Sequence, residues 1–226
     1  MPALSTIAVG QLVKIRENGV LQDFFVAQHG YPIAGNGRTL LVRFRNHSTR
    51  AWNALTTNLN NIYGNSLIHT WLNNEYMLLL DECVREQIAI VGIQNVNNLS
   101  NPYTIGPLDV RVFLLSGTEL NKAGEYAYFP VLGTALPIAG ALQIATSSSG
   151  TSASQWTRCP WRSTDSLSRH TTAFNLITTG AITSSTVTSS AGVRPCFALP
   201  STINVNVNGE IVTASPAIPH HIKPLG

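Results

Sequence analysis

Asp109-Val110-Arg111-Val112-Phe113-Leu114-Leu115-Ser116 is the stretch on which the reading of this chain turns. Its apolar run has the length of a buried strand, with a carboxylate before it and a hydroxyl after it. Three other segments share that make-up: Ser66-Leu67-Ile68-His69-Thr70-Trp71-Leu72-Asn73, Gln155-Trp156-Thr157-Arg158-Cys159-Pro160 and Gly192-Val193-Arg194-Pro195. Each sets apolar or aromatic residues beside an ionisable or turn-forming one. None has the form of a nucleophile–base pair, a phosphate loop or a set of metal ligands. They read as a frame that holds a shape, with function displayed elsewhere.

Outward from Val110–Leu115, the strongest strand in the pattern, the chain reads as many short strands around a helix. Ser66 is placed to cap a helix running to about Leu80, on the stripe Leu67, Trp71, Met77, Leu78 and Leu79. Ile88–Ile93 reads as an apolar strand, and Ser116-Gly117-Thr118-Glu119 as a capped helical start. Residues 7–16 and 20–28 form a hairpin about Glu17-Asn18-Gly19. Thr39–Arg45 is a strand with Arg43 and Arg45 on the face of Leu41, the mark of an edge or interface strand. Residues 46–64 and 94–101 read mainly as loop. Gln155–Cys159 is a strand, Ala173–Ile177 pairs with Ala181–Thr188 through Thr178-Thr179-Gly180, and Gly192–Leu199 is the last core strand. Ile203, Val205, Val207 and Ile211 alternate around Asn208-Gly209, a two-residue hairpin signal. The division expected is a single α+β domain over residues 1–200, a hairpin over 201–214 and a Pro-rich extended tail over 215–226. That tail is expected to gain order by lying across a neighbouring subunit.

Composition narrows the function classes. Of the 226 residues 44% are hydrophobic, but only 11% are charged, against about a quarter in ordinary globular domains. Asn, Ser, Thr and Gly fill the deficit and give a neutral surface rich in hydrogen-bonding groups. The net charge of +3 is scattered apart from Arg38, Arg43, Arg45 and Arg50, which is too narrow a stripe for a nucleic-acid track. The first residues lack a basic region followed by an apolar core, and no stretch reaches the ~18 apolar residues of a membrane span. Three cysteines, Cys83, Cys159 and Cys196, are too few for a disulfide framework and lack zinc spacing.

Taken in order, the four segments resemble a domain of unknown function common in Gram-positive bacteria and their phages, often in tail-region or surface proteins. The resemblance spans roughly residues 8–200. Cys159 and Cys196 depart from it, since the family usually has Ser and Ala there. The family in turn is similar to C-type-lectin-like folds, among them formylglycine-generating enzymes and phage tropism determinants. That likeness implies a mixed fold of short strands, one or two helices and long loops. In such a fold the segments of Cys159 and Cys196 belong to core strands. The two thiols are then expected either to approach each other or to be two unrelated buried cysteines.

Arg158 and Arg194 could together bind an anion, or each could be buried and satisfied by backbone carbonyls or a carboxylate such as Asp109. Their apolar setting favours the second reading, so Trp71, Asp109, Trp156, Arg158 and Arg194 are taken as structural. Candidate ligand-binding residues lie in two polar loops: Ser147, Ser148, Ser149, Thr151 and Ser152 in one, and Trp161, Arg162, Asp165, Arg169 and His170 in the other. The histidines share no ligand spacing, and the adjacent side chains of His220 and His221 point apart on extended chain. No metal or cofactor is expected. Together with the low-charge surface, the resemblance implies a non-enzymatic virion protein, tail- or baseplate-associated, that binds a host-cell surface glycan or protein. It would assemble in the host cytoplasm with other virion proteins and its own copies, and stand on the particle exterior. A capsid decoration protein is the alternative, and an enzyme acting on cell-wall glycan lacks the carboxylate pair it needs. Neither nucleic-acid binding nor membrane insertion is expected.

Overall fold

Glu17 pairs with Val20 across a two-residue loop, whose Asn18 and Gly19 both have positive φ, 48° and 75°. A turn of this kind matches the natural twist of a hairpin. It joins β1 (Leu12–Glu17) to β2 (Val20–His29) in the computed structural model, which describes residues 1–54, 61–98, 103–122, 130–161 and 171–212. The candidates Arg162, Asp165, Arg169 and His170, and the tail 215–226, lie outside the described residues.

The remaining strands in chain order are β3 (Arg38–Arg43), β4 (Ser48–Ala51), β5 (Val91–Val96), β6 (Ile105–Val110) and β7 (Val112–Phe113). After them come β8 (Gln155–Pro160), β9 (Thr172–Leu176), β10 (Ile182–Thr186), β11 (Ser190–Val193), β12 (Cys196–Pro200), β13 (Asn204–Val205) and β14 (Ile211–Val212). One five-stranded sheet has the order β1-β2-β3-β12-β7, and a second has the order β10-β9-β8-β11-β4. Two-stranded ribbons β5-β6 and β13-β14 complete the β structure of the described residues. Helix is sparse. Ser66 caps α1 by accepting from the His69 N–H at 3.1 Å, and α1 then runs unbroken over residues 67–79 with a wide turn at Leu72–Tyr76. A short α2 follows at Glu82–Arg85. The chain is thus a small, mostly β, α+β protein.

Two strand pairs form one antiparallel ribbon that passes from the first sheet into the second. β3 pairs with β12, and β4 pairs with β11. Between them the Arg43 N–H donates to the Pro195 carbonyl at 3.0 Å and the His47 N–H donates to the Val193 carbonyl at 2.8 Å. One side of the ribbon carries more residues than the other, so it bulges and bends. Carbonyls freed at such a bend need other donors. Arg194 donates to the Arg43 carbonyl at 2.8 Å, the Phe44 carbonyl at 3.1 Å and the Leu142 carbonyl at 2.8 Å. Arg43 donates to the Arg45 and Asn46 carbonyls at 2.8 and 2.9 Å. Two guanidinium groups therefore satisfy four successive carbonyls, residues 43–46. Gly192 is required at the same bend: a Cβ there would overlap Asn46 Nδ2 and the Ser154 carbonyl.

This ribbon corrects two expectations. Gly192–Leu199 is two strands in different sheets, because Pro195 lacks an N–H and Arg194 turns inward to the bend. Thr39–Arg45 contributes a central strand rather than an edge, with Arg43 buried on Glu17 through two bonds from Nε at 2.9 and 3.1 Å and one from Nη2 at 3.0 Å. Val110–Leu115 is also broken, since Val110 closes β6 and Arg111 separates it from β7. The Arg111 and Val112 N–H groups both donate to Asn73 Oδ1 at 3.1 Å, a partner that draws them away from a continuous ladder. β4 lies inside 46–64 and the end of β5 inside 94–101, both read from sequence as loop.

All four motif segments contribute to one large core cluster. It includes Trp71, Leu72, Val112, Phe113, Leu114, Leu115, Trp156, Val193 and Cys196, and extends from Leu4 to Ile211. A smaller cluster of Ile62, Val96, Leu132, Cys159, Phe174, Leu176 and Ile182 lies beside it. Ala173 and Phe174 go to different clusters, as the alternation of side chains along a strand requires. The β13–β14 hairpin is connected by five residues, 206–210, rather than by a two-residue turn, because only Gly209 takes a positive φ there and its N–H donates to the Asn206 carbonyl at 2.9 Å. It is tied to β1 by the Lys14 N–H, which donates to the Gly209 carbonyl at 2.8 Å.

Candidate functional site

The Ser116-x-x-Glu119 pattern forms a reciprocal cap. The Glu119 N–H donates to Ser116 Oγ at 3.0 Å, and the Ser116 N–H donates to Glu119 Oε2 at 2.9 Å. This cap holds Glu119 in the interior, where Arg158 meets it in a two-pronged pair. Arg158 Nη1 donates to Oε2 at 2.5 Å and Nη2 to Oε1 at 2.9 Å. The Tyr31 hydroxyl donates to Oε1 at 2.8 Å. Arg158 also donates to the Leu114 carbonyl at 2.9 Å and the Gln94 carbonyl at 3.1 Å. Burial works against the Arg158 charge, but Glu119 outweighs it and raises the pKa above its ordinary value. Burial raises Tyr31 well above its usual range, and Glu119 adds to the effect.

Over this network lies an open cleft of about 290 Å³, walled by Tyr31, Pro32, Ile33, Gln94 and Thr134. Gly133 comes down onto the Glu119 carboxylate with φ +81°, and a Cβ there would sit 2.9 Å from Oε1. The Glu119 carboxylate accepts four hydrogen bonds from within the protein. Its role is to hold loop, strand and cap together.

The structural residues fall as follows. Arg158 is buried on a carboxylate, but that carboxylate is Glu119. Asp109 is exposed on β6, because it faces outward on a ribbon whose Val110 turns inward. Arg194 meets backbone carbonyls, and burial lowers its pKa to about 9, so it remains a cation at neutral pH. Trp156 is buried, donating from Nε1 to the Arg50 carbonyl at 2.8 Å. Trp71 is 6% exposed, with the Arg50 guanidinium 3.9 Å above its ring. Sequence reading missed Glu119 and Arg50 as site residues, although the cap pattern marked the first and the arginine cluster contained the second.

The first candidate loop is a compact turn. The Ser147 N–H donates to the Thr151 carbonyl at 2.7 Å, the Gly150 N–H donates to the Ser147 carbonyl at 3.0 Å, and Gly150 has φ +88°. Ser147 Oγ lies 2.7 Å from Ser149 Oγ and 2.9 Å from Thr151 Oγ1. Ser148, Ser149, Thr151 and Ser152 are exposed. Arg45 fixes the turn from below by donating to the Ser148 carbonyl at 2.7 Å. Trp161, from the other loop, is half-buried and packs on Phe174 with ring centroids 5.0 Å apart.

Cys159 and Cys196 are free thiols on strands of different sheets, so they are not the cross-strand neighbours that a pairing would use. The Gly117 N–H donates to Cys159 Sγ at 3.3 Å, and Cys196 Sγ donates to the Phe113 carbonyl at 3.0 Å. Among the described residues no group of three His, Cys, Asp or Glu is placed to hold a metal. None of their helices is long and apolar enough to cross a membrane.

Residues 36–201 match the domain of unknown function DUF6273. The chain belongs to that family. The matched DUF6273 region holds all four motifs, the Glu119–Arg158 pair, the bent ribbon and the 147–152 turn. No curated protein and no solved structure matches the chain.

Proposed function

We propose that this DUF6273 chain is a non-catalytic display scaffold, C-type-lectin-like in architecture, whose polar loops bind a host-cell surface from a phage or phage-derived particle. The observation that carries this reading is where the buried charge goes. Glu17, Arg43, Glu119, Arg158 and Arg194 are the buried charged residues among those described, and each is engaged by groups of its own fold. Charge spent in this way fixes a frame. What the frame presents outward is a hydroxyl-rich turn, Ser147–Ser152, anchored by Arg45.

Contacts from such a turn are individually weak. Repeated display on a symmetric particle makes the second and later contacts intramolecular and raises avidity by orders of magnitude. Attachment to a tail or baseplate suits this role, and residues 215–226 supply a segment that could join one subunit to the next.

The test is adsorption of the chain, multimerised on a neutral scaffold, to Gram-positive cells and to purified cell wall. Alanine replacement of Ser148, Ser149, Thr151 and Ser152 together should cut adsorption at least tenfold and leave the melting temperature within a few degrees. Adsorption that survives this replacement, or hydrolysis of wall glycan by the purified chain, would overturn the reading.

A further inference from the structure

Arg50 differs from the three buried arginines in what it touches. Arg43, Arg158 and Arg194 donate to carboxylates or carbonyls on several sides. The Arg50 Nε is shielded from solvent and has no hydrogen-bond partner. Its guanidinium rests on the Trp71 ring, 3.9 Å from ring centre to Cζ. Stacking of this kind holds the plane of the group while leaving its N–H edge free to donate. Arg50 and Trp71 border an open cleft of about 320 Å³ that Thr49, Leu67, Ile68 and Ser190 also line. The cleft thus has one oriented cation, two hydroxyls and an apolar wall.

We infer that this cleft binds an oxyanion carried on a small polyhydroxylated body, a sugar carboxylate or a polyol phosphate. The guanidinium edge takes two oxygens of the anion in a fork. Thr49 and Ser190 meet hydroxyls of the attached polyol, and Leu67 and Ile68 receive its carbon face. The site draws on none of the residues of the Ser147–Ser152 turn, so it stands or falls apart from the display of that turn.

The experiment is an NMR titration of the full chain with glucuronate, glycerol 3-phosphate and the neutral controls glucose and glycerol. The Trp71 indole resonance is followed in each case. At least one anion should bind ten times more tightly than its neutral control and shift that resonance, and the anion that does so identifies the source. Arg50→Gln should weaken that binding at least tenfold. Arg50→Lys, which keeps the charge and loses the fork, should weaken it at least threefold. If the glutamine variant does not fold, the wild-type anion preference and the lysine variant decide. No anion preference, no shift at Trp71, or undiminished binding in the folded variants would overturn the site.

Discussion

Asn73 grips Val112 by both of its backbone groups: Nδ2 donates to the Val112 carbonyl at 2.9 Å, and Oδ1 accepts from the Val112 N–H at 3.1 Å. One carboxamide thereby docks α1 against the start of β7 and locks two of the four motifs together. The same oxygen also accepts from the Arg111 N–H. Replacing Asn73 with Ala strands several backbone groups, at about 1–3 kcal/mol for each that stays unpaired. Asn73→Ala should lower the unfolding free energy by about 2–4 kcal/mol in urea titration. An unchanged midpoint would mean that water replaces the side chain at no cost.

Glu119 and Arg158 should behave as a unit. Removing one partner leaves the other as an uncompensated buried charge, so Arg158→Met or Glu119→Leu alone should cost about 3–5 kcal/mol. The double replacement should cost clearly less than the sum, as read from a double-mutant cycle. Strict additivity would show that the two groups do not depend on each other.

Gly192→Ala should destabilise by about 1–3 kcal/mol, since the new methyl displaces Asn46 and the Ser154 carbonyl in a packed bend. Gly19→Ala tests the other kind of glycine. Nothing lies within 4 Å of its virtual Cβ, so only the positive φ is penalised and the loss should be smaller. Equal losses in chemical denaturation would contradict the steric account.

Burial lowers the pKa of both His47 and His69 below the ordinary 6.5. The folded protein then binds fewer protons than the unfolded chain between those depressed values and 6.5. Stability should therefore rise with pH across that window and fall on acidification from pH 7 towards 5. A melting temperature that is flat from pH 7 to 5, or no flatter in a His47→Phe/His69→Gln variant, would exclude these two groups as the cause.

Burial pushes the Cys159 thiol up to about 12 and raises Cys196 well above its usual value. Neither thiol is ionised at pH 8, and nucleophilic attack needs the thiolate. A thiol reagent should label the half-buried Cys83 first, and the other two only on unfolding. Rapid labelling of all three in the native protein would contradict the buried placement.

Local features were the legible ones. The Glu17-Asn18-Gly19 turn, the Ser66 cap and the Ser116-x-x-Glu119 box are each set by a few adjacent residues and read directly from sequence, whereas at Asn208-Gly209 the hairpin was legible but its loop length was not. What escaped depends on distant partners. Ser48-Thr49-Arg50-Ala51 has no apolar alternation and becomes a strand only because β11 lies beside it. Arg43 looked like a surface residue until Glu17 and the bulged carbonyls were seen to surround it. The choice of Glu119 over Asp109 as the partner of Arg158 rests on the inward turn that the cap imposes, and spacing alone does not show it. The loop residues offered as a ligand surface carry no such local signature, because exposed serines look alike whether or not anything binds them.

The bent ribbon also sets how the chain can come together. β3 leads into β4 near residue 45, and β11 returns to β12 near residue 194, so the excursion between them builds the whole second sheet and supplies β7 to the first. The bend, with Arg43 and Arg194 as its clasps, closes only when segments about 150 positions apart in sequence have met. Long-range closure of this kind is slow relative to helix or hairpin formation. It also makes the two sheets depend on each other, since the one ribbon supplies the interior β3–β12 pair of the first sheet and the β11–β4 edge of the second. Cutting the chain inside the excursion should give two pieces that refold together when mixed and remain unstructured when kept apart.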